Sequence, residues 1–457
     1  TRDEIYITEG AEYYQYINSG AIGDITEAVT QPNPYDGGKT IAEKFTPEQA
    51  DYYGVDDGGA IRYYGLPVYG GYYGIVYNVD LFEEKGYYIR ADATDFTSDD
   101  GFTASFVGDD KTAARSAGPD GESGTDDDGL PVTYDEFFAL CKYIALDSGE
   151  GPLIWTGDVY AQYLAGLFNS LAAANMGYDE MRLIYTMDGM PQSLGKVENG
   201  TFVKDSPQPG IDTSNGYEMM RSEGIYDALG FLERLIREKY ADTNYWRENS
   251  FTSGYTHMNA QEYFLREDCP MLVDGVWWES EASDTFTAME QSQGASYSKE
   301  NRHFGWMPLP KSSNAAAGEN FAVADVMLSL CIMKADIAEW KKPLAFDFIQ
   351  FMYSDESLVE FTELTSTRRA LEYTIPESAD LTPFGRSVAD VYENADVLYP
   401  LASNDVLIDH QAQFRFTTMY GSGSYTSPAA AFWQDASMTA ETYFGGIPSK
   451  LRTAAFS

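Results

Sequence analysis

The chain has 457 residues, 44% hydrophobic and 15% aromatic, which is too long for one ordinary core and too apolar for a disordered segment, so two or more lobes are expected. Its 72 Asp and Glu against 30 Lys and Arg leave a net charge of −42, and with no basic patch to offset the repulsion this counts against nucleic acid and anionic membrane surfaces as partners. No apolar run reaches the roughly 18 residues of a membrane-spanning helix, and Cys141, Cys269 and Cys331 are odd in number and widely spaced, which counts against a disulfide framework or a zinc motif and predicts buried thiols.

In chain order, Asp3 to Ile7 is predicted as a short strand and Glu9 to Ile17 as a helix stopped by Asn18-Ser19-Gly20. Thr1 leads straight into charged residues and this strand, so no leader is expected and the chain is read as starting inside a fold. Residues 31–64 are turn-rich around a helix at Pro47 to Tyr53. Gly65 to Tyr88 is the stretch around which the rest is arranged. It holds a Gly-Leu-Pro turn, a Gly/Tyr-rich segment, a strand Gly74-Ile75-Val76-Tyr77, then Asn78 and a short helix from Val79 to Lys85. Gly71 and Gly74 have no Cβ, so backbone and ligand are expected to come close there.

Asp92 to Gly129 reads as an acidic insertion with no sustained apolar period. Within it, Asp120, Glu122, Asp126 and Asp128, with the Thr125 carbonyl, offer the mixed oxygen set that calcium takes, among glycines that let a loop wrap. The spacing is not that of an EF-hand. A structural calcium ion and a solvated acidic turn are both open readings.

Thr133 and Glu136 form a capping box ahead of Phe137, Leu140, Cys141 and Ile144 at helical spacing. A strand follows at Leu153-Ile154-Trp155, a helix from Tyr160 to Met176, and a loop or short hairpin within Pro191 to Gly216. Ile225 to Lys239 is an amphipathic helix, and Ala260 to Glu267 is a helix leading into the strand Pro270 to Val273 and the turn Asp274-Gly275-Val276-Trp277-Trp278. Phe321 to Met333 reads as one strand-like run. Trp340 to Tyr353 reads as a helix with Ala345, Phe348, Ile349 and Met352 as its buried stripe, and the last stretch holds Ser427 to Trp433 and then a helix to about Tyr443.

Signals for covalent chemistry are weak. The only histidines are His257, His303 and His410, and G-x-S-x-G, H-E-x-x-H and Walker A motifs are absent. With 72 acids, chance carboxylate pairs are certain, so a glycoside hydrolase is not excluded by counting. The 35 tyrosines combine an apolar face with a hydroxyl, which suits polyhydroxylated ligands, although most must simply fill cores.

Several segments, each loose alone, share one pattern: Tyr77-Asn78 before Leu81-Phe82, Pro131-Val132-Thr133-Tyr134-Asp135-Glu136, the glycine turn into Trp277-Trp278, Phe304 to Pro310 with its Pro-Leu-Pro, and Phe432-Trp433 opening a helix. Over most of its length the chain thus resembles the extracellular solute-binding proteins of ABC importers, of the maltose/oligosaccharide-binding type. The resemblance implies an α/β fold of two periplasmic-binding-protein-like lobes, mixed sheets flanked by helices, with a ligand cleft at the hinge. Residues 1–73 and 305–370 would form the first lobe, 74–304 and 371–457 the second, and 92–129 the insertion. It also implies that an opening strand, helix and strand are missing, so that the first lobe would lack its central strand and a complete core.

The function implied is capture of an oligosaccharide outside the cell and delivery to the permease subunits of an ABC transporter, by reversible binding and lobe closure, with no catalytic residues. The rivals are a secreted glycoside hydrolase and a polyamine- or peptide-binding protein of the same fold. A monomer is implied, at the cell surface on a lipid anchor upstream of Thr1, or in the periplasm. Carried over position by position, the cleft aromatics fall on Tyr13, Tyr160, Trp277 and Trp433, and the polar positions near Glu9, Glu12, Tyr72 and Asp158. Two positions depart from the pattern. Gly71 stands where relatives often have a polar residue, leaving Tyr72 or Tyr73 to substitute, and only Ser437 follows one turn after Trp433.

Overall fold

In the computed structural model, the residues described are 4–9, 12–68, 70–92, 96–97, 103–149, 151–157, 160–237, 254–267, 269–312, 321–326 and 329–457. Nine strands carry the architecture: β1 (Ile5–Glu9), β2 (Gly65–Pro67), β3 (Tyr73–Asn78), β4 (Leu153–Ile154), β5 (Met271–Gly275), β6 (Phe304–Met307), β7 (Phe321–Ala324), β8 (Ser329–Met333) and β9 (Ala395–Leu398). One sheet runs β1-β8-β2 and is antiparallel throughout. A second runs β6-β3-β5-β4, with β3 antiparallel to both neighbours and β5 parallel to β4. Strands β7 and β9 form a separate parallel pair.

Every described residue of β3, β5 and β6 is buried, because the second sheet is covered on both faces. The strand period sorts the side chains. Ile75, Tyr77, Met271, Val273 and Met307 enter one cluster, which the helices Tyr134–Ser148, Tyr160–Met176 and Glu223–Arg237 cover. Val76, Leu272, Phe304 and Trp306 enter another, under the helices His257–Leu265 and Pro383–Glu393. The cluster around β1, β8 and β2 is separate and contains Tyr13, Ile25, Val29, Leu66, Ile349 and Leu358. Leu371, Tyr373 and Ile375, from beyond position 370, join it, as do Tyr399 and Leu401. Each of the three clusters encloses one cysteine: Cys141 lies in the first, Cys269 in the second and Cys331 in the third, and none is in a disulfide.

Local chemistry sets the element ends. Pro47 opens its helix at the first position behind the capping box of Thr46 and Gln49. Asn78 ends β3 and caps the next helix, its Oδ1 accepting from Leu81 N, and that helix stops at Gly86 in the left-handed region. Thr133 caps as the spacing predicts, and Glu136 Oε2 returns to the Val132 and Thr133 amides. The Pro191 to Gly216 region carries a hairpin, Gly195–Glu198 with Thr201–Lys204.

Several expectations change: the Gly65-Leu66-Pro67 turn is a strand, and the helix predicted from Glu9 begins at Tyr13 because Glu9 belongs to β1. Phe321 to Met333 is two strands in different sheets, divided near Asp325. The helix predicted to reach Tyr443 stops at Gln434, where Asp435 turns extended and Oδ1 accepts from Ser437 N and Oγ, and a new helix begins at Ala440. In the helix Lys342–Met352, Ala345 and Ile349 face inward but Phe348 is 47% exposed. That helix is apolar on both sides, so periodicity alone does not choose the inner one.

A buried cation holds the cluster around β1, β8 and β2 together. Lys44 has no exposure, and its Nζ lies 2.6 Å from both Asp36 Oδ2 and Asp355 Oδ1 and donates to the Tyr353 carbonyl at 2.7 Å. Removing it strands Asp36 beside a closed cavity. Lys44→Ala is expected to lower unfolding free energy by about 3 kcal/mol, less than a fully enclosed pair because Asp355 is partly solvated. Urea denaturation followed by circular dichroism measures this, and a loss under about 1 kcal/mol contradicts the assignment.

Candidate functional site

The site grows from the point where β3 and β5 run side by side. Asp274 pairs with Gly74 and Gly275 with Tyr73. At Gly275 a Cβ would fall 2.2 Å from the Trp277 ring, so the glycine leaves room for the indole to lie back over the strand. The Tyr73 ring meets Trp277 edge-on at 5.0 Å between centroids, with Tyr163 at 5.4 Å and Phe416 at 5.7 Å. Tyr73 and Tyr163 are buried, whereas Trp277 and Phe416 are half-exposed, so the group has a closed base and an open aromatic rim. Gly166 lets the helix Tyr160–Met176 close on this base, since a Cβ there would sit 2.1 Å from the Tyr73 ring.

Carboxylates flank the aromatics. Asp274 is buried, with Oδ1 accepting from Gly275 N at 2.7 Å and Oδ2 from Gln261 Nε2 at 3.1 Å. Gln261 Nε2 also reaches Glu281 Oε2 at 3.1 Å, so one amide bridges two acids. Burial is the main cause that pushes Asp274 up to about 8, and the Glu281 charge adds to it. Burial and then the Asp274 and Glu281 charges push the Tyr163 hydroxyl up as well. Flat rings beside hydrogen-bonding acids suit a ligand with apolar C–H faces and hydroxyl edges. Nothing in the group supplies an activated nucleophile.

The residues carried over from sequence are distributed as follows. Trp277 stands on the aromatic rim. Trp433 is half-buried on the helix Pro428–Gln434 and packs at the edge of the first cluster. Tyr13 is fully buried. Its hydroxyl donates to the Tyr53 carbonyl and accepts from Tyr64 N, so its ring offers no open face in this state. Tyr72 is 1% exposed against Trp306 and Tyr392, and its hydroxyl has no hydrogen-bond partner. Glu12 is exposed at the N-terminus of the helix Tyr13–Asn18, and Glu9 ends β1 opposite Ser329, its side chain outside the described residues. Asp158 lies outside the described residues, as does the side chain of Tyr160, which begins its helix. The close approach expected at Gly74 is filled from within, since a Cβ there would sit 2.4 Å from Trp306 Cζ2. Sequence reasoning does not single out Phe416, Tyr163 or the Gln261 bridge, because none of them stands in a motif or periodic run.

In the acidic loop the oxygens largely serve the loop itself. Asp120 Oδ1 accepts from Glu122 N, Asp128 Oδ2 from Gly124 N, and the Thr125 carbonyl from Asp128 N. Asp126 is exposed. Among the described residues, no group of three or more His, Cys, Asp or Glu is placed to hold a metal ion. Asp128 Oδ1 is nevertheless buried with no hydrogen-bond partner. No helix among the described residues is long and apolar enough to cross a membrane.

Comparisons with known proteins bear on the fold. The family model described as "Bacterial extracellular solute-binding protein" matches residues 3–358. No curated protein sequence matches. Among solved structures, a chitin oligosaccharide binding protein superposes with a TM-score of 0.55 at 16% identity, covering 99% of this chain and 84% of its own. Maltose-bound MalE3 of T. maritima gives 0.53 at 14% identity, covering 99% and 85%. The raffinose complex of RafE, a protein also solved in its apo form from Streptococcus pneumoniae, gives 0.52 at 15% identity, covering 99% and 85%. At these identities the likeness is one of fold.

The buried acid has a measurable signature. Asp274 keeps its proton in the folded state above its ordinary value of 3.8, so stability is lost as pH rises from about 4 and the loss levels off above about 8. Asp274→Asn is expected to remove that slope, gaining on the wild type between those limits and running parallel above them. Denaturant midpoints taken across the pH range measure this. A constant difference at every pH contradicts it.

Proposed function

The chain belongs to the bacterial extracellular solute-binding protein family, and from that premise we propose that it captures an oligosaccharide outside the cell and hands it to the permease subunits of an ABC transporter. The observation that carries the sugar class is the half-exposed aromatic rim of Trp277 and Phe416 over the acid pair Asp274 and Glu281. A ring face binds the C–H side of a pyranose, and the exposed Glu281 carboxylate accepts from its hydroxyls while the buried Asp274 holds the Gln261 bridge. Ligands named for the structural neighbours, chitin oligosaccharide, maltose and raffinose, support the same class. Trp433 is proposed as a second stacking ring, and Glu9, Glu12, Tyr160 and Asp158 as contacts from the approaches to the cleft. Tyr13 and Tyr72 are proposed to shape the site from behind, as enclosed rings.

Binding is proposed to be reversible and without catalysis. Two-lobe binding proteins close about a hinge around their ligand, and closure follows only if the sugar binds the closed state better than the open one. We further propose a monomer held at the cell surface by a lipid anchor, or free in the periplasm. The polyamine alternative draws on the acidity of the site, and the hydrolase alternative on its carboxylates.

Titration calorimetry against maltodextrins, xylo- and chito-oligosaccharides, raffinose and a polyamine separates these readings. One sugar series is expected to bind, with no shortened products after incubation. Trp277→Ala is expected to weaken that sugar at least about tenfold, the effect of losing a central aromatic anchor. Binding of the polyamine alone, or unchanged sugar affinity in Trp277→Ala, contradicts the reading.

Calcium in the 118–129 loop is a separate proposal, supported by the partnerless Asp128 Oδ1. Calcium is expected to raise the melting temperature and Asp128→Asn to abolish the rise, by scanning calorimetry with and without chelator. A melting temperature indifferent to both removes the ion.

A further inference from the structure

Trp277 and Trp278 are adjacent but face opposite ways. Trp278 is fully buried among Phe264, Phe286, Phe304 and Phe384, while Trp277 keeps a face to solvent. The next residue, Glu279, also turns inward and is 2% exposed. A buried carboxylate needs donors, and its donors come from a distant part of the chain. Ser366 Oγ donates to Glu279 Oε2 at 2.6 Å and Thr382 Oγ1 donates to the same oxygen at 2.8 Å. The two hydroxyls lie 3.2 Å apart, and Thr382 Oγ1 also caps its helix by accepting from Gly385 N at 3.0 Å.

These donors mark the ends of one connection. Ser366 closes the helix Asp355–Thr365 in the left-handed region, and Leu358 of that helix is in the cluster around β1, β8 and β2. Thr382 opens the helix Pro383–Glu393, whose Phe384 and Val388 pack on the second sheet. Residues 366–382 therefore carry the chain from one core to the other, and one carboxylate clasps both ends. The spot has no room to spare, since a Cβ on Gly385 would lie 2.9 Å from Ser366 Oγ. Burial pushes the Glu279 carboxyl up, against the two hydroxyls that hold it down.

We propose that Glu279 is a positioning residue for ligand binding, tying the Trp277 turn to the 366–382 connection so that the indole's position and the relation of the two cores are set together. This rests on the reading of Trp277 as a sugar contact. A brace that served stability alone would have no need to stand two residues from the partly exposed Trp277 ring and to take both hydroxyls from the connection.

The test uses the full chain labelled with 5-fluorotryptophan, the Trp277 line among its seven tryptophans being assigned by Trp277→Phe. Glu279→Ala is expected to shift and broaden that line, and Glu279→Gln, which still accepts hydroxyl hydrogens, to restore most of it. With whichever panel sugar binds, Glu279→Ala is expected to weaken affinity about tenfold in the wild type and less than about twofold in Trp277→Phe, a non-additive cycle. An unmoved Trp277 line, or equal losses in both backgrounds, overturns the proposal. If Trp277→Phe itself keeps full affinity, the sugar role of Trp277 fails while the fluorine line still decides the role of Glu279. Should Glu279→Ala not fold, Ser366→Ala and Thr382→Val remove the two donors singly, and the same line is read.

Discussion

The structure depends on a small knot of hydrogen bonds where four separate segments pass between the cores. Gly70 N donates to the Arg368 carbonyl at 2.9 Å, and Gly71 N to Asp325 Oδ2 at 2.7 Å. Val326 N returns to the Gly71 carbonyl at 2.8 Å, and Asp325 N donates to the Leu398 carbonyl at 2.9 Å. The first segment joins β2 to β3, the second joins β7 to β8, the third leaves the helix ending at Thr365, and the fourth ends β9. Asp325 N to the Leu398 carbonyl continues the β7–β9 ladder, while Gly70, Gly71 and Val326 lie outside the strands and take their partners from other segments. Gly70 is required there, because a Cβ would stand 2.6 Å from Asp325 Oδ2. These bonds tie the four segments to one another where the chain passes between the cores.

In the second sheet and the helix Tyr160–Met176 that covers it, glycine and aromatic rings are matched in pairs. Gly74 receives Trp306, Gly275 receives Trp277, Gly305 receives Tyr77 and Gly166 receives Tyr73. Three of these pairs are core packing, and the Gly275 pair presents a ring to solvent. The same device thus serves the interior and the site. This explains how a Gly/Tyr-rich sequence yields a rigid sheet. The backbone freedom of glycine is offset by large rings that occupy the space its missing side chain leaves.

Much of the fold is legible in the sequence because the signals are local. The helix Pro47–Tyr53 agrees with its expectation residue for residue, since proline and a capping box fix its start. The helices Val79–Lys85 and Tyr160–Met176 do likewise. What escapes depends on partners distant in sequence. Nothing in Phe321 to Met333 indicates that its halves join different sheets, and Phe348 has the same apolar character as Ile349 on the other face. At the site, Trp277 is legible from its glycine turn. Phe416 sits in an irregular stretch and reaches Tyr73 only through the fold. Glu279 is one of 72 acids, and only its two hydroxyl partners, 87 and 103 residues away, distinguish it.

The enclosed thiols have a use that follows from where they lie. Cys141, Cys269 and Cys331 each occupy a different hydrophobic cluster, and all are shielded. Burial pushes the Cys331 thiol up to about 11, which slows its reaction with alkylating reagents further. A reagent that modifies cysteine therefore reports on fluctuations that expose each core, and mass spectrometry of the modified peptides tells the three apart. The sequence carries a built-in set of three independent probes, so the order in which its parts loosen can be recorded without adding a label.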